Sequence, residues 1–422
     1  MNVKREDFEI MAPVGSYESL QAAIQAGANS VYFGIEKLNM RSRSASNFST
    51  EDLRKIVSIC KENHIKSYLT VNTVIYNDDL ELMKEIIETA KEVGVSAIIA
   101  ADVAAMTYAY SIGVEVHLST QLNIANVEAL KFYARYADVV VLARECNMDQ
   151  VRNIWEAIQK EQIKGPKGEL IKIEMFCHGA LCMAVSGKCY LSLHELNASA
   201  NRGACYQVCR HGYRLTDDES DIEIKVDNQY LMSPKDLKTI HFINKLIESG
   251  VRVLKIEGRA RGAEYVKTVV SCYDEAINSY LDGTYSEEKI AQWDERLKKV
   301  FNRGFWNGYY LGQRLGEWSS TYGSEATKKK VYVGKGMKYY SKLGVGEFLV
   351  ETKYGIKKGD DILIIGPTTG VIELKVGEIH VGDSTAEKCE KGDLFSIAVP
   401  EKIRNSDKLY KWVDSSEIIK GE

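Results

Sequence analysis

Five of the nine cysteines fall between Ile171 and Leu215: Cys177, Cys182, Cys189, Cys205 and Cys209. A cysteine that only packs turns up singly on an apolar face, whereas thiols spaced by Gly, Ser and Asn look like ligands gathered by loops. Three chemistries compete for them: a disulfide framework, a zinc site, or an iron–sulfur cluster. The start, MNVKREDFEIMAPVG, has no apolar signal segment, and no run approaches the roughly 20 apolar residues of a membrane span. A cytoplasmic location, with no membrane partner, is therefore the expectation, and there thiols stay reduced rather than paired as disulfides. The spacing is C-x6-C from Cys182 to Cys189 and C-x3-C from Cys205 to Cys209, which copies neither a zinc knuckle nor a ferredoxin run. Spacing alone leaves zinc, iron–sulfur and unligated thiols all open.

The elements that must position these thiols are read from periodicity. Short apolar runs alternate with amphipathic helical windows, giving strands near Glu9–Val14, Val31–Gly34, Ser67–Val71, Ala97–Ala101, Glu115–Ser119, Val139–Ala143, Lys172–Phe176 and Arg252–Ile256. Between the first two, Ser16–Gly27 reads as a helix closing on glycine. Another opens at Ser49, with a capping-box spacing to Asp52 and a core stripe of Leu53, Ile56, Val57 and Cys60. Eight such repeats in roughly 260 residues suit a TIM-like (β/α)8 barrel better than an open doubly wound sheet. About 75 residues separate the seventh and eighth strands, an insertion far longer than an ordinary connection, and the cysteines sit in it.

In such a barrel the ends of the strands and the loops that follow form the active mouth. The rule brings together Arg41, Arg43 and Asn47, then Asn72, Asp102, Gln121 and Asn123, then Arg144 and Glu145, His178, and finally Glu257 and Arg259. Four arginines there call for an anion, since a guanidinium grips a carboxylate or a phosphate through two parallel hydrogen bonds. Structural pairing with Glu145 and Glu257 is the plainer alternative. His178 and Gln121, with Glu257, are the candidates for acid–base or substrate contact; Arg41, Arg43, Asn47, Arg144 and Arg259 are the candidates for binding. His117 reads as a wall residue, and Cys146, Cys272 and Cys389 as structural.

At 422 residues the chain exceeds the size at which one core usually stops growing. Residues 1–318 would form the barrel domain, with 171–215 as its cysteine-rich segment. The texture then changes, and 326–413 reads as a small antiparallel β-barrel, its strands bracketed by Gly359–Asp360 and Gly392–Asp393. Phe301–Trp318 interleaves Arg303 and Arg314 with Phe305, Trp306, Tyr309 and Tyr310, either a base-stacking surface or rings packed on the barrel. Lys328, Lys329 and Lys330 are either an RNA contact or a solvated face. A net charge of −4 gives no global attraction to polyanions, so any nucleic acid must meet a local basic surface.

The run E-x-F-x-H-G-A-x-C-x-x-x-S-G-x-C-x-L-S from Glu174 to Ser192, followed by N-R-G-x-C-x-x-x-C from Asn201 to Cys209, resembles the signature of the U32 "collagenase-like peptidase" family. A-P-x-G at Ala12–Gly15, V-Y-F-G at Val31–Gly34, S-T-Q at Ser119–Gln121, L-A-R-E at Leu142–Glu145, S-P-K-D at Ser233–Asp236 and K-I-E-G-R at Lys255–Arg259 agree. The resemblance implies more than its name. The family is similar to a set of oxygen-independent hydroxylases that carry a 4Fe–4S cluster on four cysteines, some of which hydroxylate the tRNA wobble uridine using prephenate. Carried over, it implies cluster ligands at Cys182, Cys189, Cys205 and Cys209, with Cys177 left over, and tRNA and prephenate as partners; the long tail fits the tRNA branch.

Peptidase activity is the alternative. The sequence has neither G-x-S-x-G nor H-E-x-x-H, because His194 and Glu195 are followed by Leu, Asn and Ala. A cysteine peptidase built on Cys177 and a distant histidine remains open, but leaves four clustered thiols without a role. An RNA-binding accessory subunit with a structural cluster is the non-enzymatic alternative.

Overall fold

The computed structural model describes residues 3–43, 47–216, 219, 223–225, 232–313, 315–321 and 323–417. Eight parallel strands close on themselves: Glu9–Pro13, Ser30–Phe33, Lys66–Val71, Ala97–Ala100, Val116–Leu118, Val139–Val141, Lys172–Ala180 and Val251–Ile256. The eighth pairs with the first, Glu9 opposite Val253, and with the seventh, Lys255 opposite Phe176. That closure excludes the open doubly wound sheet.

Side chains alternate between the barrel interior and the helical layer, as the strand period of two demands. Inward, Met11, Tyr32, Tyr68, Ile99, Val139 and Val253 form one cluster. The helix Thr50–Glu62 is capped by Ser49, which exchanges hydrogen bonds with Asp52, and it buries Leu53, Ile56, Val57 and Cys60 against the barrel's outer face. Cys146, Cys272 and Cys389 are likewise buried packing residues.

The seventh strand runs to Ala180, four residues beyond its expected end. The short strand Asp236–Lys238 returns antiparallel along it, Lys238 opposite His178 and Asp236 opposite Ala180. Phe305–Trp306 then pairs with Asp236–Leu237. The rings of the Phe301–Trp318 stretch pack rather than face solvent: Trp306 and Tyr310 are buried, and the Tyr310 hydroxyl donates to the Phe176 carbonyl at 2.9 Å. Arg314 lies outside the described residues.

Beyond Lys328 the chain forms an antiparallel eight-stranded sheet with its own apolar core, including Val333, Phe348, Ile364, Phe395 and Leu409. It docks on the barrel's helices. Gln25 donates to the Thr369 carbonyl at 2.8 Å and accepts from the Val371 amide, and Lys267 donates to the Val371 carbonyl. Two of the three entry lysines are engaged, Lys328 with Asp361 and Asp414 and Lys330 with Glu264.

Candidate functional site at the barrel mouth

One cavity occupies the C-terminal mouth. Its wall combines strand-end residues (Arg41, Gln121, Arg144, Glu257 and Arg259 among them) with Cys182, Cys189, Cys205 and Cys209 from the insertion. Three backbone segments bring those thiols in. Leu181 and Cys182 continue the seventh strand, Cys189 precedes the short helix Leu191–Leu196, and Cys205 and Cys209 flank a left-handed residue at Gln207. Gly203 makes the approach possible: at φ +87°, its would-be Cβ falls 2.0 Å from Ser42 Oγ, so the N-R-G turn lies flush against the loop after the second strand.

The thiols are unpaired, with Cys182 exposed and the other three half-buried. Burial pushes the Cys189 and Cys209 thiols above their ordinary value, Cys209 to about 11, and the neighbouring thiols push in the same direction. Thiolates are the ligands that soft metal centres prefer, and four cysteines line this one cavity. Among the described residues, no three His, Cys, Asp or Glu side chains converge tightly enough to hold a single ion. A cubane asks for something different, because each thiolate meets its own iron.

Around the thiols the charge balance is positive. Arg41 Nη2 stands 3.5 Å from Glu257 Oε1. Lys255 is matched to Glu174 at 2.8 Å inside the barrel. Arg144 and Arg259 have no carboxylate at ion-pair distance among the described residues and act on Glu257 only from farther across the cavity. Arg259 Nη1 donates instead to Thr70 Oγ1 at 3.1 Å and Asn39 Oδ1 at 3.3 Å, in space that Gly34 keeps open: a Cβ there would meet the guanidinium at 2.6 Å. Arg144 donates to the Ala180 carbonyl at 2.9 Å and leaves its Nε buried without an acceptor. Burial acts to raise the Glu257 carboxyl, but Arg41, Arg144, Arg259 and Lys255 outweigh it, so it stays ionised below the ordinary carboxylate value.

The other expected residues divide. Gln121 lines the cavity, its side-chain oxygen accepting from Ser119 Oγ. Asn47 bonds the carbonyls of Arg41 and Ser42, and so shapes the loop rather than the cavity. Arg43 is exposed and faces an adjoining pocket on the outer side of the cysteine segment.

His178 is a correction. A register shift between Lys255 and Ile256 rotates the end of the seventh strand, and the imidazole lies buried between Tyr265, Tyr273 and Phe305, away from the mouth. Burial, then Lys238 and Arg261, lower it to about 3. Cys177 is buried beside it, its carbonyl accepting from Tyr273 and Thr239.

Sequence reasoning passed over four residues. Asn39, fully buried, orients Arg259 and accepts from the Arg41 amide. Arg210 ties the Leu181 carbonyl, next to Cys182, to Ser233 Oγ and the Pro234 carbonyl. Glu174 and Lys255 form the buried pair beneath the cavity. Only the Glu174–Lys255 pair left a signal: in the strands IKIEMF and VRVLKI each is a second charge, set deeper than the Lys172 and Arg252 near the strand starts.

The profile of peptidase family U32 matches residues 15–320. A protein named Collagenase from Porphyromonas gingivalis is 67% identical, the alignment covering 98% of this chain and 99% of the relative. Two further relatives carry different names. The tRNA hydroxylation protein P1 of Bacillus subtilis is 34% identical, over 85% of this chain and 83% of its own. The 23S rRNA 5-hydroxycytidine C2501 synthase of Escherichia coli is 32% identical, over 75% of this chain and 47% of its own.

Proposed function

This chain belongs to peptidase family U32, and we propose that it is an RNA-modifying enzyme that hydroxylates C5 of the wobble uridine in tRNA without molecular oxygen, using prephenate as hydroxyl donor and a 4Fe–4S cluster. The observation that carries this reading is one cavity lined both by four unpaired thiols and by two guanidiniums with no carboxylate at ion-pair distance among the described residues. Cys182, Cys189, Cys205 and Cys209 would hold the cluster. Bound there, it would supply a Lewis-acidic or electron-relaying iron site beside the substrate.

The rest follows from the chain's own groups. Arg144 and Arg259 present forked donors to the two carboxylates of prephenate. Gln121 offers an amide for hydrogen bonding to the donor or the base. Exchanging the C5 hydrogen for the donor's hydroxyl oxidises the base by two electrons. The C–OH bond of prephenate breaks, its carbon keeps the electron pair and is reduced, the oxygen bonds to C5, and C5 gives up a proton. Glu257, ionised and 3.4 Å from the Tyr32 hydroxyl, is the carboxylate in the cavity that takes it.

The name of the 67% identical relative favours proteolysis as the second reading. A thiol peptidase needs a thiolate within reach of a histidine. Among the described residues no histidine lines the mouth cavity; His211 faces the adjoining pocket beside Cys205, a thiol the proposed cluster would take, while Cys177 and His178 are sealed in the wall and the Cys177 thiol is raised well above its ordinary value by burial.

Nucleoside mass spectrometry decides between the readings. Bulk tRNA from cells lacking endogenous wobble hydroxylation, expressing this chain, will contain a uridine heavier by one oxygen, and expression of Arg144→Ala will leave it unmodified. Unmodified tRNA alongside cleavage of denatured collagen by the purified protein would return the peptidase reading.

A further inference from the structure

A second pocket adjoins the mouth on the outer side of the cysteine segment. It is lined by Arg43, Tyr206, Arg210, His211 and Arg303, and it shares Cys205, Gln207 and Arg210 with the main cavity. The two spaces are separated only by the chain around Cys205 to Arg210.

Its charge is under-neutralised. Arg303 is mostly buried, and among the described residues its one carboxylate at ion-pair distance is Asp236, at 3.5 Å. Arg210 spends its donors on carbonyls and a hydroxyl, with no carboxylate among the described residues. Arg43 is exposed, with no hydrogen bond or ion pair from its guanidinium among the described residues. Arg261 adds a fourth guanidinium behind them, close enough to Arg303 and Asp236 to feel both. Guanidiniums gathered around one buried carboxylate leave positive charge for a ligand to answer, and phosphate suits the fork geometry. The ring of Tyr206, 46% exposed, offers a face for a base at the same place.

We infer that this pocket is the subsite for a backbone phosphate of the RNA, the one flanking the nucleotide that enters the mouth. The inference rests on the RNA-modifying reading and adds where the strand is gripped. Sharing of Cys205, Gln207 and Arg210 by the two pockets sets them one residue layer apart, the relation required between a reacting base and its neighbouring phosphodiester. A free phosphate presents the same chemistry, and the test separates the two.

Binding of fluorescein-labelled tRNA to anaerobically purified protein is measured by anisotropy across a salt series for wild type, Arg43→Glu, Arg303→Gln and Lys342→Glu. Lys342 is exposed in the tail sheet's first hairpin and carries the same charge change as a control. Arg43→Glu is expected to weaken binding about tenfold or more and to lower the salt slope by about one. Lys342→Glu should stay within about twofold. Since Arg43 is exposed, its replacement tests the subsite even if Arg303→Gln fails to fold. Inorganic phosphate at about millimolar concentration should not displace the tRNA; full displacement would assign the pocket to a free anion and overturn the inference. Wild-type binding that Arg43→Glu leaves unchanged in affinity and slope overturns the subsite while sparing the RNA reading. A wild type that binds no tRNA removes both.

Discussion

The guanidinium carbon of Arg144 lies 3.9 Å from the centroid of the Phe176 ring, and this stack aims the fork of Arg144 across the barrel mouth. The ring fixes the plane, the Ala180 carbonyl fixes one nitrogen, and the buried Nε is left without an acceptor. A side chain so constrained is pre-organised for an anion, because the entropy of ordering it is already spent on the stack.

Arg144→Lys keeps the charge but loses both the stack and the fork. The variant should bind prephenate roughly 10- to 100-fold more weakly, as expected for loss of a charged bidentate contact worth about 1.5–3 kcal/mol. Calorimetric titration of prephenate measures this directly. Affinity within about twofold of wild type would take Arg144 out of the donor site.

Glu174 and Lys255 form an ion pair whose side chains are 0% and 6% exposed. Removing one partner strands a charge inside the barrel. Glu174→Ala should therefore cost about 3–5 kcal/mol of stability, read from the urea midpoint. The double variant Glu174→Leu with Lys255→Met should recover most of that loss, because an apolar pair removes both charges together.

At the opposite end of the barrel, burial acts to raise Glu115, but His117 and Lys167 hold it down at about 2, against an ordinary 4.5. A depressed carboxyl contributes stability that is full above its unfolded value and is lost as pH falls through the folded one. This contribution, up to about 3 kcal/mol, should disappear between about pH 4.5 and 2. Glu115→Gln should be less stable at neutral pH and show a shallower decline across that window. Parallel acid-unfolding curves would contradict the assignment.

Glu257→Gln removes the carboxylate proposed as proton acceptor but keeps the shape of the side chain. Turnover should fall by about 100-fold or more while prephenate affinity changes little, the separation expected of a group acting on the proton rather than on binding. A matching loss of affinity would make Glu257 a positioning residue.

How much was legible in the sequence depended on whether a signal was local. The capping box at Ser49 and Asp52 and the stripe from Leu53 to Cys60 are local, and the helix appears where they put it. Strand ends read by the barrel rule brought Arg41, Gln121, Arg144, Glu257 and Arg259 into one cavity, since alternation along a strand needs no partner to be counted. The rule failed at His178. There a register shift against the eighth strand, and an extra strand arriving from Asp236–Lys238, decide which face the side chain takes, and both depend on residues about 60 to 80 positions away. Arg210 was invisible for a similar reason: its acceptors, Leu181, Ser233 and Pro234, are distant in sequence.

The most direct test is iron and sulfide quantitation on protein purified under strict anaerobiosis, comparing wild type, the Cys205→Ala and Cys209→Ala double variant, and Cys177→Ala. The account predicts about four irons per wild-type chain, loss of the iron in the double variant, and full retention in Cys177→Ala, whose side chain is buried in the barrel wall. Zinc in place of iron, or iron that survives loss of Cys205 and Cys209 but not of Cys177, would contradict it.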